Sequence, residues 1–329
     1  MFEYLSLYRR NAKGQHGKVL GFTILQMILC IILPSILMFA LMFAPALLSF
    51  TNTDDSTIGV AFIVWGLVIS LVFVLACIFL IFPMYVGILR YFASAYTGKP
   101  FSFGEAYKVF KKGNYSKLIK IALLVFLLYV ALSIVIGILI NMLFVIAITP
   151  LAGAGFVTET TQLQELSVPM IILSVALALI VTIVAYIPYI IMFIYFAVVF
   201  MVYIDEPLIP TMDKLKIAWD ILFKSSASMV KLFFSNLILY IVMMIVMFAV
   251  IFGLAFLVSF TAVQTDMPGL SAILGFVVLL ITFVIGVYVS YLILGSIVAY
   301  YFVGRESLDE INHQEKREPD HQIENDNDL

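Results

Sequence analysis

"KPFSFGEAYKVFKKGNYSKLIK" runs from Lys99 to Lys120 and holds six of the chain's 18 Lys and Arg residues. On either side the sequence is almost wholly apolar. "IVWGLVISLVFVLACIFLIFPMYVGIL" (63–89) precedes it, and "IALLVFLLYVALSIVIGILI" (121–140) follows it. A basic island between two such runs is the pattern of a loop joining membrane-spanning segments. The whole chain is built this way. Of its 329 residues, 64% are hydrophobic and 12% charged, whereas soluble domains carry about 25% charged residues.

Six stretches contain no Asp, Glu, Lys, Arg or His: 19–53, 56–89, 121–158, 166–204, 232–265 and 267–304. Each exceeds the roughly 20 apolar residues of one helical span. None reaches the roughly 40 plus a turn that two spans would need. Backbone amides in lipid must find partners inside their own segment or in a closed barrel. Barrel strands are about 10 residues of alternating polarity, and these runs are continuously apolar. The sequence therefore predicts an all-α, polytopic membrane helix bundle over residues 1–303. Its six transmembrane helices, forming three hairpins, fall near 20–44, 58–82, 121–145, 170–194, 233–257 and 272–297. The first run is longer than the apolar core of a signal peptide, about 7–15 residues, so an uncleaved anchor is expected. Residues 304–329 hold nine acids and three Lys or Arg. They are expected to form a disordered acidic tail, because that composition cannot bury a core.

The gaps between the runs sort the charges. The N-terminus, 90–120, 205–231 and the segment after 304 hold 4, 7, 4 and 3 of the Lys and Arg residues, and the other gaps hold none. Basic loops stay on the cytoplasmic side. The expected location is therefore a plasma membrane crossed several times, with both termini cytoplasmic and the short acidic loops outside.

Three junctions resemble one another: "LYRRNAKGQHGKVLGFTIL", "VFKKGNYSKLIKIALLVF" and "LFKSSASMVKLFFSNLIL". They suggest a hairpin unit repeated three times. Two cytoplasmic segments read as amphipathic helices. In the first, Ser102 and Glu105 form a capping-box pattern. Phe103, Tyr107 and Phe110 fall on one face, with Lys108, Lys111 and Lys112 largely on the others. In the second, Thr211 can cap, Met212, Leu215, Trp219 and Leu222 form the stripe, and Asp220 pairs with Lys224. Such helices either lie on anionic membrane lipids, with Lys108, Lys111 and Lys112 as candidate contacts, or dock on the ends of the spans.

The spans hold no ionisable residue, although proton relays and intramembrane catalytic sites are made of such groups. No catalytic residue, cofactor-binding residue or metal site is expected, and no nucleic-acid partner. Asn141 is the amide expected to lie deepest, as a packing hydrogen bond between helices or a solute contact. Asp205 and Glu206, before Pro207, read as a helix stop more readily than as a cation site. Pro34, Pro83 and Pro188 predict kinks, each freeing a carbonyl for a neighbour to satisfy.

"FPMYVGILRYFASAYTGKPFSFGEAYKVFKKGNYSKLIKIALL" (82–124) and "IPYIIMFIYFAVVFMVYIDEPLIPTMDKLKIAWDILFKSSASMVKLFFSNL" (187–237) resemble an uncharacterised family of six-span bacterial integral membrane proteins, common in Firmicutes. That family is similar to the membrane domain of some glycerophosphodiester phosphodiesterases and to YciC-type inner-membrane proteins. Gly87, Tyr91, Gly98, Asp205 and Pro207 carry the likeness, while Ser225 and Ser226 stand where a glycine-containing turn is expected. The resemblance implies a bacterial plasma-membrane protein and no chemistry. The expected function is thus non-enzymatic, an accessory or scaffolding role in the cell envelope with a membrane-protein partner. The alternatives are a transporter or channel for a neutral or lipophilic solute, or self-immunity against a membrane-active peptide.

Overall fold

The computed structural model describes residues 2–49, 55–111, 113–151, 168–264 and 268–315. Among these the chain is helical throughout, with no strand. The elements are α1 (Glu3–Asn11), α2 (His16–Ser49), α3 (Asp55–Ala76), α4 (Phe82–Tyr96), α5 (Phe103–Ala106), α6 (Asn114–Leu151), α7 (Val168–Asp205), α8 (Thr211–Phe223), α9 (Met229–Gln264) and α10 (Pro268–Glu315). A π turn, Cys77–Ile81, joins α3 to α4, and a 3-10 turn, Tyr107–Phe110, follows α5. Five helical stretches are long and apolar enough to cross a membrane, or six if the bent pair α1–α2 is one span. The protein is a multi-pass α-helical membrane protein.

The element order repeats three times: a short helix, a turn, a long apolar helix and a long returning helix. The first two turns use glycine in the left-handed region, Gly14 at φ 86° and Gly113 at φ 96°, where a Cβ would be strained. The third turn, 224–228, has serines instead. Ser228 starts α9 by accepting the Lys231 N–H on its hydroxyl, 3.3 Å, as an N-cap residue does.

The chain divides into two compact units, 1–122 with 197–329, and 123–196. In the larger unit, α2 packs on α3 and α4, α9 packs on α10, and α10 also touches α1, α2, α4 and α8. Burial is uneven along these helices. Phe92, Leu232, Ile297 and Tyr300 are fully buried, whereas Leu67, Ile245, Phe248 and Leu279 are each more than 60% exposed. The second group would be untenable in water and is the surface expected against lipid. The core of this unit therefore sits at the end that carries the short helices and the basic residues.

Two expectations are corrected here. Helix α10 does not stop near 297 with a tail from 304; it continues to Glu315. Its extension is held because Ser307 and Leu308 are buried and Arg305 pairs with Glu206. Residues 316–329 lie outside the described residues. The segment 103–110 is not one amphipathic helix but a single α turn and a 3-10 turn. The tighter turn places residues three apart over one another, and the rings of Tyr107 and Phe110 accordingly stack at 6.3 Å.

Candidate functional site

The basic end of the larger unit is built around α1. Tyr8 is fully buried, with Phe92, Tyr291 and Tyr96 ring centroids at 5.6, 6.0 and 6.3 Å. Its ring lies directly on Gly295 of α10, where a Cβ would fall 2.6 Å from Tyr8 Cδ1. Each aromatic pair contributes about 0.5–1.5 kcal/mol beyond its area. His16 closes the turn into α2. Its Nε2 meets the Arg9 carbonyl at 3.0 Å and its Nδ1 meets the Tyr291 hydroxyl at 2.6 Å. A carbonyl can only accept, so Nε2 carries the hydrogen and the Tyr291 hydroxyl donates to Nδ1 in the neutral ring.

Tyr4 ties α1 to the third repeat. Its hydroxyl accepts the Ser228 N–H at 2.8 Å, and its ring stands edge-on to Tyr300 at 5.2 Å. Tyr300 in turn donates to the carbonyls of Ile221 and Leu222, which end α8. Glu3 and Lys231 make an exposed, solvent-screened ion pair of 3.0 Å.

The carboxylates before Pro207 have structural partners. Asp205 Oδ2 accepts from the Tyr301 hydroxyl at 2.6 Å, and Glu206 pairs with Arg305. Among the described residues, no three His, Cys, Asp or Glu converge as a metal set. Lys214 is 1% exposed. Its ammonium donates to the carbonyls of Pro207, at 3.3 Å, and Ile209, so it holds the connection from α7 to α8. Burial, followed by the charge of Lys117, pushes its pKa below the ordinary lysine value, while Glu206 and Asp213 oppose the shift.

The two amphipathic segments turn out differently from their sequence reading. In 99–120, Phe103 and Tyr107 lean on Phe22 (5.4 and 6.5 Å), the Gln26 amide donates to the Tyr107 hydroxyl at 2.8 Å, and Val109 is buried. This segment docks. Lys108 is half-buried and Lys111 exposed; Lys112 and the Glu105 side chain lie outside the described residues. In α8, Pro210 rather than Thr211 occupies the capping position, while the Asp220–Lys224 pair forms at 2.9 Å. The buried face is Lys214, Ala218, Ile221 and Leu222, with Met212 and Trp219 exposed.

Asn141 is not the most buried amide. It is exposed on α6 and donates to the Gly137 carbonyl of its own helix at 2.7 Å. The interhelical amide is Asn236, 3% exposed on α9, whose Oδ1 accepts from Ser296 of α10 at 2.8 Å. Asn236 lies little more than one turn from the basic loop, where the sequence gives a polar residue no special standing.

No family model matches the chain, and no curated protein or solved structure matches it.

Proposed function

We propose that this is a non-enzymatic integral membrane protein of the bacterial plasma membrane, with an accessory or scaffolding role. Its basic end faces the cytoplasm and presents a fixed platform to a membrane-protein partner. The observation behind this reading is the use made of the polar groups at that end. Tyr4, His16, Asp205, Glu206, Lys214 and Arg305 are spent on joining α1, α7, α8 and α10 to one another. Groups used in this way stiffen a surface. Asn141, one of the solute contacts a transporter could use, is bonded to its own helix.

Photo-crosslinking in native membranes tests the scaffold. A crosslinker at Ser226 should give a recurrent protein adduct, and one at Leu67, exposed on α3, should give lipid adducts. Lipid adducts from both positions, together with solute flux in proteoliposomes, would replace the scaffold with a carrier.

A further inference from the structure

Helix α8 has two apolar faces. One, with Ala218, Ile221 and Leu222, is buried against α10. The other carries Met212, Trp219 and Phe223, which share a stripe at helical spacing roughly opposite the first. Its three residues are 69, 53 and 53% exposed. Leu208, just before the helix, is also exposed. The rings of Trp219 and Phe223 lie 4.3 Å apart, and exposed Lys216 borders the stripe. A helix facing water on its outer side would carry polar residues at these positions.

The contacts with α10 set the level of α8. A Cβ on Gly304 would fall 2.9 Å from Ile221 Cγ2, and Gly304 is the last residue of the charge-free run 267–304. Because α10 continues to Glu315, α8 lies beside that helix and not over its end. The second apolar face is therefore turned off the side of this unit, at the depth where the apolar run gives way to charge. Short connections hold α8 there. Residues 206–210 link it to α7 and 224–228 link it to α9, and five extended residues reach at most about 17 Å.

We propose that the Met212–Trp219–Phe223 face of α8 is seated in the headgroup–acyl boundary of the leaflet on the basic side. The helix lies in the membrane plane, and Lys216 reaches back to the headgroups. Trp at the boundary and a snorkelling lysine at its edge are what an interfacial helix uses. The segment 205–231 carries four acids and four lysines, so apolar burial drives the seating and no anionic headgroup is required. This goes beyond the scaffold reading and needs only a membrane-spanning chain.

The chain has two tryptophans, so Trp65→Phe leaves Trp219 as the sole indole. The full-length variant is reconstituted in phosphatidylcholine vesicles carrying spin labels at shallow or deep acyl positions, with iodide on both sides as the aqueous quencher. The shallow label should quench Trp219 roughly twofold more than the deep label, as a seating depth of about 5–10 Å implies, and iodide should quench it weakly. Strong iodide quenching without lipid quenching would place the face in water and overturn the proposal. Protection from every quencher would overturn it too, by showing a protein cover such as a second copy of the chain. Trp65→Tyr, excited at the red edge where only indole absorbs, repeats the measurement if the Phe variant folds poorly.

Discussion

The hydroxyl of Tyr115 donates to the carbonyl of Phe79 at 2.7 Å, and Phe79 stands four residues before Pro83. Proline has no N–H to return to that carbonyl. The chain responds with the π turn Cys77–Ile81, in which the Phe82 N–H reaches the Cys77 carbonyl, and Tyr115, at the start of α6, supplies the missing donor. Tyr115→Phe should therefore destabilise the protein by about 0.5–1.5 kcal/mol, the net contribution of one hydrogen bond. In a Pro83→Ala background a backbone N–H becomes available, and the same change should cost less. Chemical denaturation of the four variants in detergent gives the coupling. Equal costs in both backgrounds would mean that Tyr115 does not serve the proline.

The extension of α10 should be structural. Truncation after Gly304 removes Arg305 from Glu206, the Ser307 hydroxyl from the Ser226 N–H (2.9 Å), and the buried Leu308. A loss of about 2–4 kcal/mol is expected from the apolar burial and the stranded amide, with the part-exposed ion pair adding little. Truncation after Glu315 keeps all three contacts and should melt as the full chain does. Matching melting temperatures for the two truncations would show that the extension carries no stability.

These two cases mark what was legible in the sequence. Membrane helices follow from the charge-free runs, because lipid leaves the backbone no other solution. The carbonyl freed by Pro83 was legible for the same reason, since a missing donor is visible in one letter. The extension of α10 was not. Between Gly304 and Glu315 the composition is that of a solvated segment, and its order comes from Glu206, Ser226 and Ile221, roughly 80 to 100 positions away in the chain. The faces of α8 were misassigned for a related reason. Periodicity found Met212, Leu215, Trp219 and Leu222 as a stripe, but α8 is apolar on two sides, and the docked side includes a lysine. Asn141 and Asn236 exchanged roles because depth in a span does not decide which helix an amide faces.

Lys214 gives a pH dependence whose sign follows from its burial. Its folded pKa lies below the ordinary 10.5, so in the window between the two values the unfolded chain binds more protons. Stability should then rise with pH through that window and level off above the ordinary value; below the window the lysine is charged in both states and its burial cost is felt in full. Thermal melts of the wild type and of Lys214→Met, taken from neutral pH upward, isolate this contribution as a difference. The variant should also lose the two carbonyl contacts, costing about 1–3 kcal/mol at neutral pH. A difference between the two that does not change with pH would show that Lys214 is charged throughout.

Orientation is open to labelling. The native Cys30 and Cys77 are free and would be replaced by Ala first. A membrane-impermeant thiol reagent added to intact cells should then label a cysteine placed at Thr53, Gln162 or Thr265, but not one at Gly113 or Ser226. This is the arrangement that basic loops on the cytoplasmic side dictate. Labelling at Gly113 in intact cells would invert the topology and, with it, the side on which the platform acts.

The opening island supplies the last expectation. Phe103 and Tyr107 are engaged with Phe22 and Gln26, so the aromatic face of this segment holds it to α2, and exposed Lys111 is placed to meet headgroups. Each basic residue near an anionic leaflet contributes about 1 kcal/mol, falling with salt. Changing Lys108, Lys111 and Lys112 together to Gln should therefore weaken the preference of the full-length protein for phosphatidylglycerol over phosphatidylcholine by roughly 3 kcal/mol, on the order of a hundredfold, on the same scale. Competition between brominated lipids reads this through tryptophan quenching, and the preference of the wild type should shrink as salt rises. Basic residues at the other three basic segments keep the topology, so the variant should insert as the wild type does. If it retains the full preference, these lysines do not bind lipid.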